Sequence, residues 1–576
     1  METIMLGNEA VARGLYEAGC KFVSSYPGTP STEITEYAAL YGELYAEWAP
    51  NEKVACEAAF GASFAGVRSF SAMKHVGLNV AADPVFTMSY TGVNGGLVIA
   101  VADDMGMHSS QNEQDSRNYA IAAKLPMLEP SDSAECKDFV RAAYELSEGF
   151  DTPVLLRLST RVSHSRGIVS TLEREEKAVV PYKKNAQKYV MIPAFARARR
   201  LEVEKRMLGL AEFAEKYELN KVEDNGAEIG IVSSGIAYLY AREAFGDKAN
   251  YLKLGLINPL PVESIKAFAK KCKRLIVIEE LEGIIENHLK QNGIACEGKA
   301  LFGNIGEYSP EMIRGKLLGE PIASAAVPAP PRPPVLCPGC PHRGLFYTLN
   351  KMGLIVSGDI GCYSLGCMPP LSGLDMVLCM GASVGGMHGM MKVQNPDFAG
   401  KTVGVIGDST FIHSGITGLI DMVYNKSSGV LIIADNSITG MTGHQQNPAT
   451  GVTLKEEPTY TLDLEALCRV IGVGRVRVVD PQDISGLEAI LKEELAADEP
   501  SVVITRRPCA LLKSVKRLPA LAIDNEKCKN CKMCMKIGCP AVSFEGKTGR
   551  INETLCVGCG LCAELCKFGA IVGGDR

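Results

Sequence analysis

Eight of the 20 cysteines in this 576-residue chain lie between Cys528 and its end: Cys528, Cys531 and Cys534, then Cys539 followed by Pro540, then Cys556, Cys559, Cys562 and Cys566. Thiolates spaced as CxxC can bring their sulfurs onto one inorganic core while the intervening amides point at it, and such iron-sulfur chemistry moves electrons singly. Eight thiolates could by number also hold two zinc ions. Zinc ribbons, however, pair two separated CxxC knuckles and do not string three cysteines together. A second constellation is built of oxygen. Gly407, Asp408 and Ser409 close the apolar run KTVGVI, and Asp435 and Asn436 close the run GVLIIA. A carboxylate and an amide at the carboxyl ends of strands in one parallel sheet are hard donors suited to Mg²⁺, at the place where such sheets bind ligands. The bland alternative is a strand-end turn and a coincidental asparagine.

These groups need several cores to hold them. At 576 residues the chain exceeds what one core supports, and about 150 residues per domain gives roughly four domains. Hydrophobic residues at 46% and charged residues at 22% fit an ordinary globular protein and exclude a largely disordered one. A net charge of −6 gives no general attraction to nucleic acid or anionic lipid. No secretory leader and no long apolar run are evident, so a soluble, cytoplasmic chain is expected, and in that compartment clustered cysteines mean metal or catalysis rather than disulfides.

Alternating strand and helix patterns predict an α/β protein in parts. Residues 1–170 carry KFVSSYP, GGLVIAVAD and TPVLLRLS. Residues 171–225 read as a helical connector with Arg and Lys on a solvated face. Residues 226–320 carry AEIGIVSSG, NYLKLGLI and KRLIVIEE. The proline-dense stretch 321–334 predicts an extended linker. Residues 335–515 repeat the α/β rhythm through MVLCMG, KTVGVIGDS, GVLIIADNS, RVRVVD and PSVVITRRP. Residues 519–576 are too short for a sufficient apolar core, so bound metal has to supply stability.

The tail resembles the bacterial two-cluster ferredoxins, in which the fourth cysteine of each run crosses to the other cluster. That resemblance implies one [4Fe-4S] cluster on Cys528, Cys531, Cys534 and Cys566 and another on Cys556, Cys559, Cys562 and Cys539. Two departures stand out: four residues, not three, precede Cys539, and Lys567 replaces the usual second proline. Gly407-Asp408-Ser409 and Asn436 resemble the thiamine diphosphate motif, which implies Mg²⁺ bound by Asp408, Asn436 and the main chain of Ile438. SYPGTPSTEI and KVACEAAFGAS are similar to the pyrimidine-binding domain of the 2-oxoacid:ferredoxin oxidoreductases. In that family a glutamate bonds the cofactor's aminopyrimidine, implying Glu57, and a threonine helps hold the substrate carboxylate, implying Thr29. The CPGC, SGDIGC and RRPC segments imply a third, proximal [4Fe-4S] cluster on Cys337, Cys340, Cys362 and Cys509, with Cys367 as an alternative ligand.

The order of parts resembles most the alpha subunits of the family's indolepyruvate branch: pyrimidine domain, transketolase-C-terminal-like domain, diphosphate domain, ferredoxin tail. The implied reaction is oxidative decarboxylation of an aryl 2-oxoacid (indolepyruvate, phenylpyruvate or 4-hydroxyphenylpyruvate) with CoA, giving an arylacetyl-CoA and CO₂ and reducing ferredoxin. The implied partner is a smaller beta subunit carrying the family's gamma-type domain, in an α2β2 heterotetramer, with no role for nucleic acid or membrane. The alternatives are the same chemistry on a branched-chain acid, pyruvate or 2-oxoglutarate, a non-redox thiamine diphosphate decarboxylase that would leave the tail cysteines idle, or an electron carrier with a degenerate thiamine site. His75, His108, His444 and Gln445 are loop or strand-end residues that could line the pocket.

Overall fold

The computed structural model describes residues 1–320, 333–393, 395–398 and 400–573. The chain divides into two units, Met1–Val327 and Pro328–Arg576. The proline-rich stretch expected at 321–334 lies mostly outside the described residues.

The first unit is built on a seven-stranded sheet in the order Leu256–Asn258, Met127–Leu128, Val154–Ser159, Leu97–Asp103, Ser69–Lys74, Phe22–Ser25 and Tyr45–Trp48. Every pairing is parallel except that of Leu256–Asn258 with Met127–Leu128. The central strands Leu97–Asp103 and Val154–Ser159 are buried along their whole length. Their sequences, LVIAVAD and VLLRLS, are accordingly near-continuous apolar runs and do not alternate. A second sheet has Ile229–Ser234 at its centre, parallel to both Asn250–Leu254 and Arg274–Ile278. The run NYLKLGLI therefore splits: its first half stays in the second sheet and Leu256–Asn258 crosses to the edge of the first.

One apolar core serves both sheets, with Met127, Leu155 and Val101 packed in the same cluster as Leu254, Ile257 and Ile265. Residues 1–170 and 226–320 thus share this core, and residues 226–320 hold a second one of their own around Ile231, Phe245, Ile278 and Ile313. Ions join them as well. Buried Arg117 donates to Asp115, to Glu279 at 2.5 Å, and to the Glu280 and Glu282 carbonyls, both at 2.9 Å. The connector contains the expected long helix, Pro193–Ala214, but not a wholly solvated basic face. Val203, Arg206, Leu210 and Ala214 make a buried stripe, and the Arg206 guanidinium turns inward to donate to Phe150 O at 2.8 Å and Ser89 O at 2.6 Å. Helical spacing put Arg206 on the same face as Val203 and Leu210, and uncapped carbonyls at neighbouring helix ends supplied the acceptors.

The second unit holds a six-stranded parallel sheet in the order Met376–Val377, Ile355–Gly358, Thr402–Gly407, Gly429–Asp435, Pro500–Arg506 and Arg475–Val479. Thr402–Gly407 and Gly429–Asp435 lie at its centre, fully buried, so their carboxyl ends open side by side. MVLCMG yields only the two-residue edge strand Met376–Val377. The cysteine tail adds two small antiparallel pairs, Ala522–Ile523 with Ile571–Val572 and Val542–Glu545 with Thr548–Ile551. Its apolar core is small, centred on Leu521, Ile537, Val542 and Leu561.

Candidate active site

The strand Thr402–Gly407 runs straight into the helical turn Asp408–Thr410 and then the π turn Phe411–Gly415, a distortion that is frequent at functional sites. Gly407 is required here by a close approach: a Cβ would stand 2.6 Å from Tyr363 Cε1. Asp408 is buried and its Oδ2 has no hydrogen-bond partner. Burial, with Asp435 adding to it, pushes its carboxyl up to about 7. The neighbouring strand delivers Asn436 and Ile438. The Asn436 side-chain amide lies 2.7 Å from the Ile438 carbonyl oxygen and 3.3 Å from Asp408 Oδ1, and both are hydrogen bonds with its nitrogen turned toward them. The buried Asp408 Oδ2, left without a partner, is the observation that points to a cation. Octahedral Mg²⁺ with Mg–O of about 2.1 Å sets adjacent ligand oxygens about 3 Å apart. The residues present fit that cation. Asp435 is otherwise engaged, accepting from Ser437 N at 3.1 Å and Arg506 Nε at 2.7 Å. Ser409 Oγ accepts from Thr439 Oγ1 at 2.9 Å, which ties the two strand-end loops together.

Four cysteines adjoin this oxygen trio. Cys509 N donates to Asn436 O at 2.9 Å, and a Cβ on Gly440 would lie 3.4 Å from Cys362 Sγ and 3.7 Å from Asn436 Nδ2. In the CPGC turn Cys340 N donates to Cys337 O at 3.2 Å. Burial pushes the Cys340 thiol up to about 12 and that of Cys362 to about 11, and raises Cys509. Each is raised further by its neighbours: Cys340 by Cys362 and Cys337, Cys362 by Cys509 and Cys337, Cys509 by Cys337. Thiols that disfavour one another's ionisation in a buried place become thiolates when a metal core supplies the opposing charge. Cys367, at the far end of the 3-10 turn Cys362–Cys367, is exposed, and none of these perturbations comes from it. His444 stands beside the quartet, Nε2 3.8 Å from Cys509 Sγ. Gln445 instead turns back on its own loop, its side chain bonded to Thr442.

The tail cysteines form two cages. Cys528, Cys531, Cys534 and Cys566 line one cavity with Phe544 and Ile571. Cys539, Cys556, Cys559 and Cys562 line another with Val557 and Leu561. The exchange of fourth cysteines between runs is therefore present in the geometry. The longer spacer before Cys539 is absorbed by the 3-10 turn Met533–Ile537 and by Gly538, whose φ of 64° swings the chain back. Amides aim at sulfur, Gly558 N at Cys556 Sγ (3.4 Å) and Ala570 N at Cys566 Sγ (3.3 Å), as iron-sulfur thiolates require. Among the described residues there is no group of three or more His, Cys, Asp or Glu that could hold one metal ion.

In the first unit Thr29 stands in the turn after the strand Phe22–Ser25. Ser109 Oγ donates to Thr29 O at 3.2 Å, and Lys74 Nζ donates to Ser109 O at 2.9 Å. Burial pulls the Lys74 ammonium down, opposed by Asp104 and Glu52. Asp104 pins this loop by accepting from Ser109 N, Ser110 Oγ and Thr160 Oγ1 at 2.7–2.8 Å.

Glu57 is not among these groups. It projects from the exposed face of the helix Glu52–Phe64, 45% exposed, and pairs with Lys53. The buried carboxylate of this helix is Glu52, at its start, where a Cβ on Gly77 would meet Glu52 Oε1 at 2.5 Å. The buried positions Glu52, Ala55, Cys56, Ala59 and Ser63 follow helical spacing, and Glu57 falls outside that stripe. This signal was available in the sequence. His75 is buried with Nε2 at 3.0 Å from Asn112 O, whereas His108 is half exposed, 3.2 Å from Glu307.

Residues 13–226 match the family described as pyruvate flavodoxin/ferredoxin oxidoreductase, thiamine diphosphate-binding. Residues 359–505 match the C-terminal thiamine pyrophosphate-binding domain of thiamine pyrophosphate enzymes, and residues 550–572 match a 4Fe-4S binding domain. The indolepyruvate oxidoreductase subunit IorA of Archaeoglobus fulgidus is 40% identical over 99% of this chain and 97% of its own length. That of Pyrococcus horikoshii is 39% identical over 99% and 96%. The 2-oxoglutarate synthase subunit KorA of Methanothermobacter marburgensis is 26% identical, covering 55% of this chain and 99% of its own length. Among solved structures, the 2-oxoglutarate:ferredoxin oxidoreductase of Magnetococcus marinus aligns with a TM-score of 0.47 and 20% identity, over 55% of this chain and 65% of that one. No helix among the described residues is long and apolar enough to cross a membrane.

Proposed function

The chain belongs to the family of indolepyruvate oxidoreductase IorA subunits, and from that membership we propose that it is the catalytic alpha subunit of an indolepyruvate:ferredoxin oxidoreductase. The reaction takes an aryl 2-oxoacid (indolepyruvate, phenylpyruvate or 4-hydroxyphenylpyruvate), CoA and two oxidised ferredoxins to the arylacetyl-CoA, CO₂ and two reduced ferredoxins. The observation that carries this reading is that the cysteine segment lies beside the strand end that delivers Asn436, joined to it by the main-chain Cys509 N to Asn436 O hydrogen bond. A non-redox thiamine enzyme has no use for thiols at that place.

Asp408, Asn436 and the Ile438 carbonyl are assigned to Mg²⁺, with Gly407 and Ser409 shaping the loop around the diphosphate. Thiamine diphosphate, when bound, supplies the electron sink for decarboxylation. Glu52, buried and fixed against Gly77, is the carboxylate assigned to the cofactor's aminopyrimidine in place of Glu57. Thr29 is assigned to the substrate carboxylate, with the half-buried Lys74 ammonium in the same loop cluster favouring an anion there. Cys337, Cys340, Cys362 and Cys509 hold the proximal [4Fe-4S] cluster. The two tail cages hold the clusters that pass electrons on, one at a time, to ferredoxin. A smaller beta subunit completes the enzyme as an α2β2 assembly.

The test is anaerobic. With the beta subunit co-produced, CoA-dependent reduction of a low-potential dye is followed with indolepyruvate, pyruvate, 2-oxoglutarate and 2-oxoisovalerate. Preference for indolepyruvate is expected. Preference for another acid overturns the substrate, and no reduction with any acid overturns the redox reading.

A further inference from the structure

The residue that follows the CPGC turn as CPGC-Pro-His-Arg is a charge in an unusual place. Arg343 sits in the first turn of the helix His342–Met352 and is 2% exposed. Its guanidinium is spent on backbone carbonyls: Nε donates to Cys337 O at 3.0 Å, Nη1 to Ile537 O at 2.9 Å, and Nη2 to Leu336 O. One of those carbonyls belongs to the CPGC turn, one to Leu336 just before it, and the third lies two residues before Cys539. The same side chain lines the cage of Cys539, Cys556, Cys559 and Cys562. Two left-handed glycines let the loops close around it. A Cβ on Gly538 would stand 3.3 Å from Arg343 Nη1, and one on Gly339 would stand 2.3 Å from Val557 Cγ2, inside the cage lining.

Among the described residues no carboxylate pairs with this guanidinium, and a buried cation without a counter-ion is costly. The groups that favour its charge are thiols on both sides, Cys337 and Cys340 of the proximal quartet and Cys539 and Cys559 of the cage. The missing anion is therefore supplied by metal-loaded cysteines, since a [4Fe-4S] core with four thiolates is negative overall and gains one further negative charge on reduction.

Resting on the cluster assignment above, we propose that Arg343 is a positioning residue whose clamped positive charge, between the CPGC turn and the cage of Cys539, Cys556, Cys559 and Cys562, raises the reduction potentials of the clusters on both its sides. A fixed cation stabilises the reduced, more negative form of each. Hydrogen bonds and charge near the sulfurs are established levers on such potentials.

The experiment compares wild type, Arg343→Met, Arg343→Gln and Arg343→Lys in the full complex with its beta subunit, by iron content and by redox titration followed by electron paramagnetic resonance. Met and Gln remove the charge and are expected to shift the one-electron equilibria of the two adjacent clusters about tenfold toward the oxidised form, about 59 mV downward. Lys keeps the charge and holds both within a few-fold of wild type. The cluster of Cys528, Cys531, Cys534 and Cys566 serves as the internal reference and stays put. Unchanged potentials in iron-replete Met or Gln protein overturn the proposal, as does an equal shift in Lys. Loss of iron from all three variants makes Arg343 a structural brace only and also overturns it. Wild-type complex without clusters would instead refute the cluster assignment itself.

Discussion

The carboxylate that serves the cofactor can be identified by two isosteric substitutions on one helix. Glu57→Gln removes at most an exposed i,i+4 pair with Lys53, both side chains being more than 40% exposed. Such a pair is worth about 0.3–0.5 kcal/mol, so no rate or affinity should move by more than about twofold. Glu52→Gln keeps the volume that fills the notch over Gly77 but removes the charge and its proton affinity. Loss of a positioned acid or base costs about 10²- to 10⁴-fold, equivalent to about 3 to 5 kcal/mol of barrier. The assay is the deuterium exchange rate of the thiazolium C2 proton on bound thiamine diphosphate, read by NMR after acid quench, which needs neither substrate nor clusters. Cofactor affinity, measured alongside, should fall far less than the exchange rate. A Glu57→Gln protein slowed tenfold or more, or a Glu52→Gln protein exchanging at the wild-type rate, would refute the reasoning.

Asp408→Ala removes the only carboxylate of the oxygen trio and should abolish Mg²⁺-dependent retention of thiamine diphosphate while the tail clusters keep their iron; cofactor and metal analysis of the purified protein checks it. Cys509→Ser should cost about a third of the iron, one cluster of three, whereas Cys367→Ser should cost none. Glu280 lies in the shared core of the first unit, where burial pushes its carboxyl up to about 7. A carboxylate raised in the folded state costs stability above its unfolded value near 4.5, and the cost grows as pH rises through about 7. Glu280→Gln is thus expected to match wild type at pH 4 and to gain up to about 3 kcal/mol at pH 8, measured by hydrogen exchange of the strand Arg274–Ile278.

Much of the chemistry was legible because it is carried by short-range spacing. The CxxC runs, the strand-end Asp408 and Asn436 and the apolar runs beneath them are local patterns, and a chain that places a strand at 402–407 has little choice about where Asp408 points. The pairing of Cys539 with Cys556, Cys559 and Cys562 came from the resemblance to two-cluster ferredoxins, not from local spacing. What sequence reading missed depended on which face of an element turned inward. Glu57 and Glu52 share one helix and one charge; the helical spacing of Ala55, Cys56, Ala59 and Ser63 places Glu52 with the buried face, and its packing against Gly77 fixes it there. Arg206 looked like a solvated cation until neighbouring helix ends offered it carbonyls. The division of NYLKLGLI between two sheets, and with it the core shared by residues 1–170 and 226–320, is a long-range choice that no local propensity encodes. Arg343 is the sharpest case: in the sequence it is one basic residue after a CPGC turn, and only the tertiary structure, by burying it among carbonyls and thiols and away from carboxylates, makes its charge count.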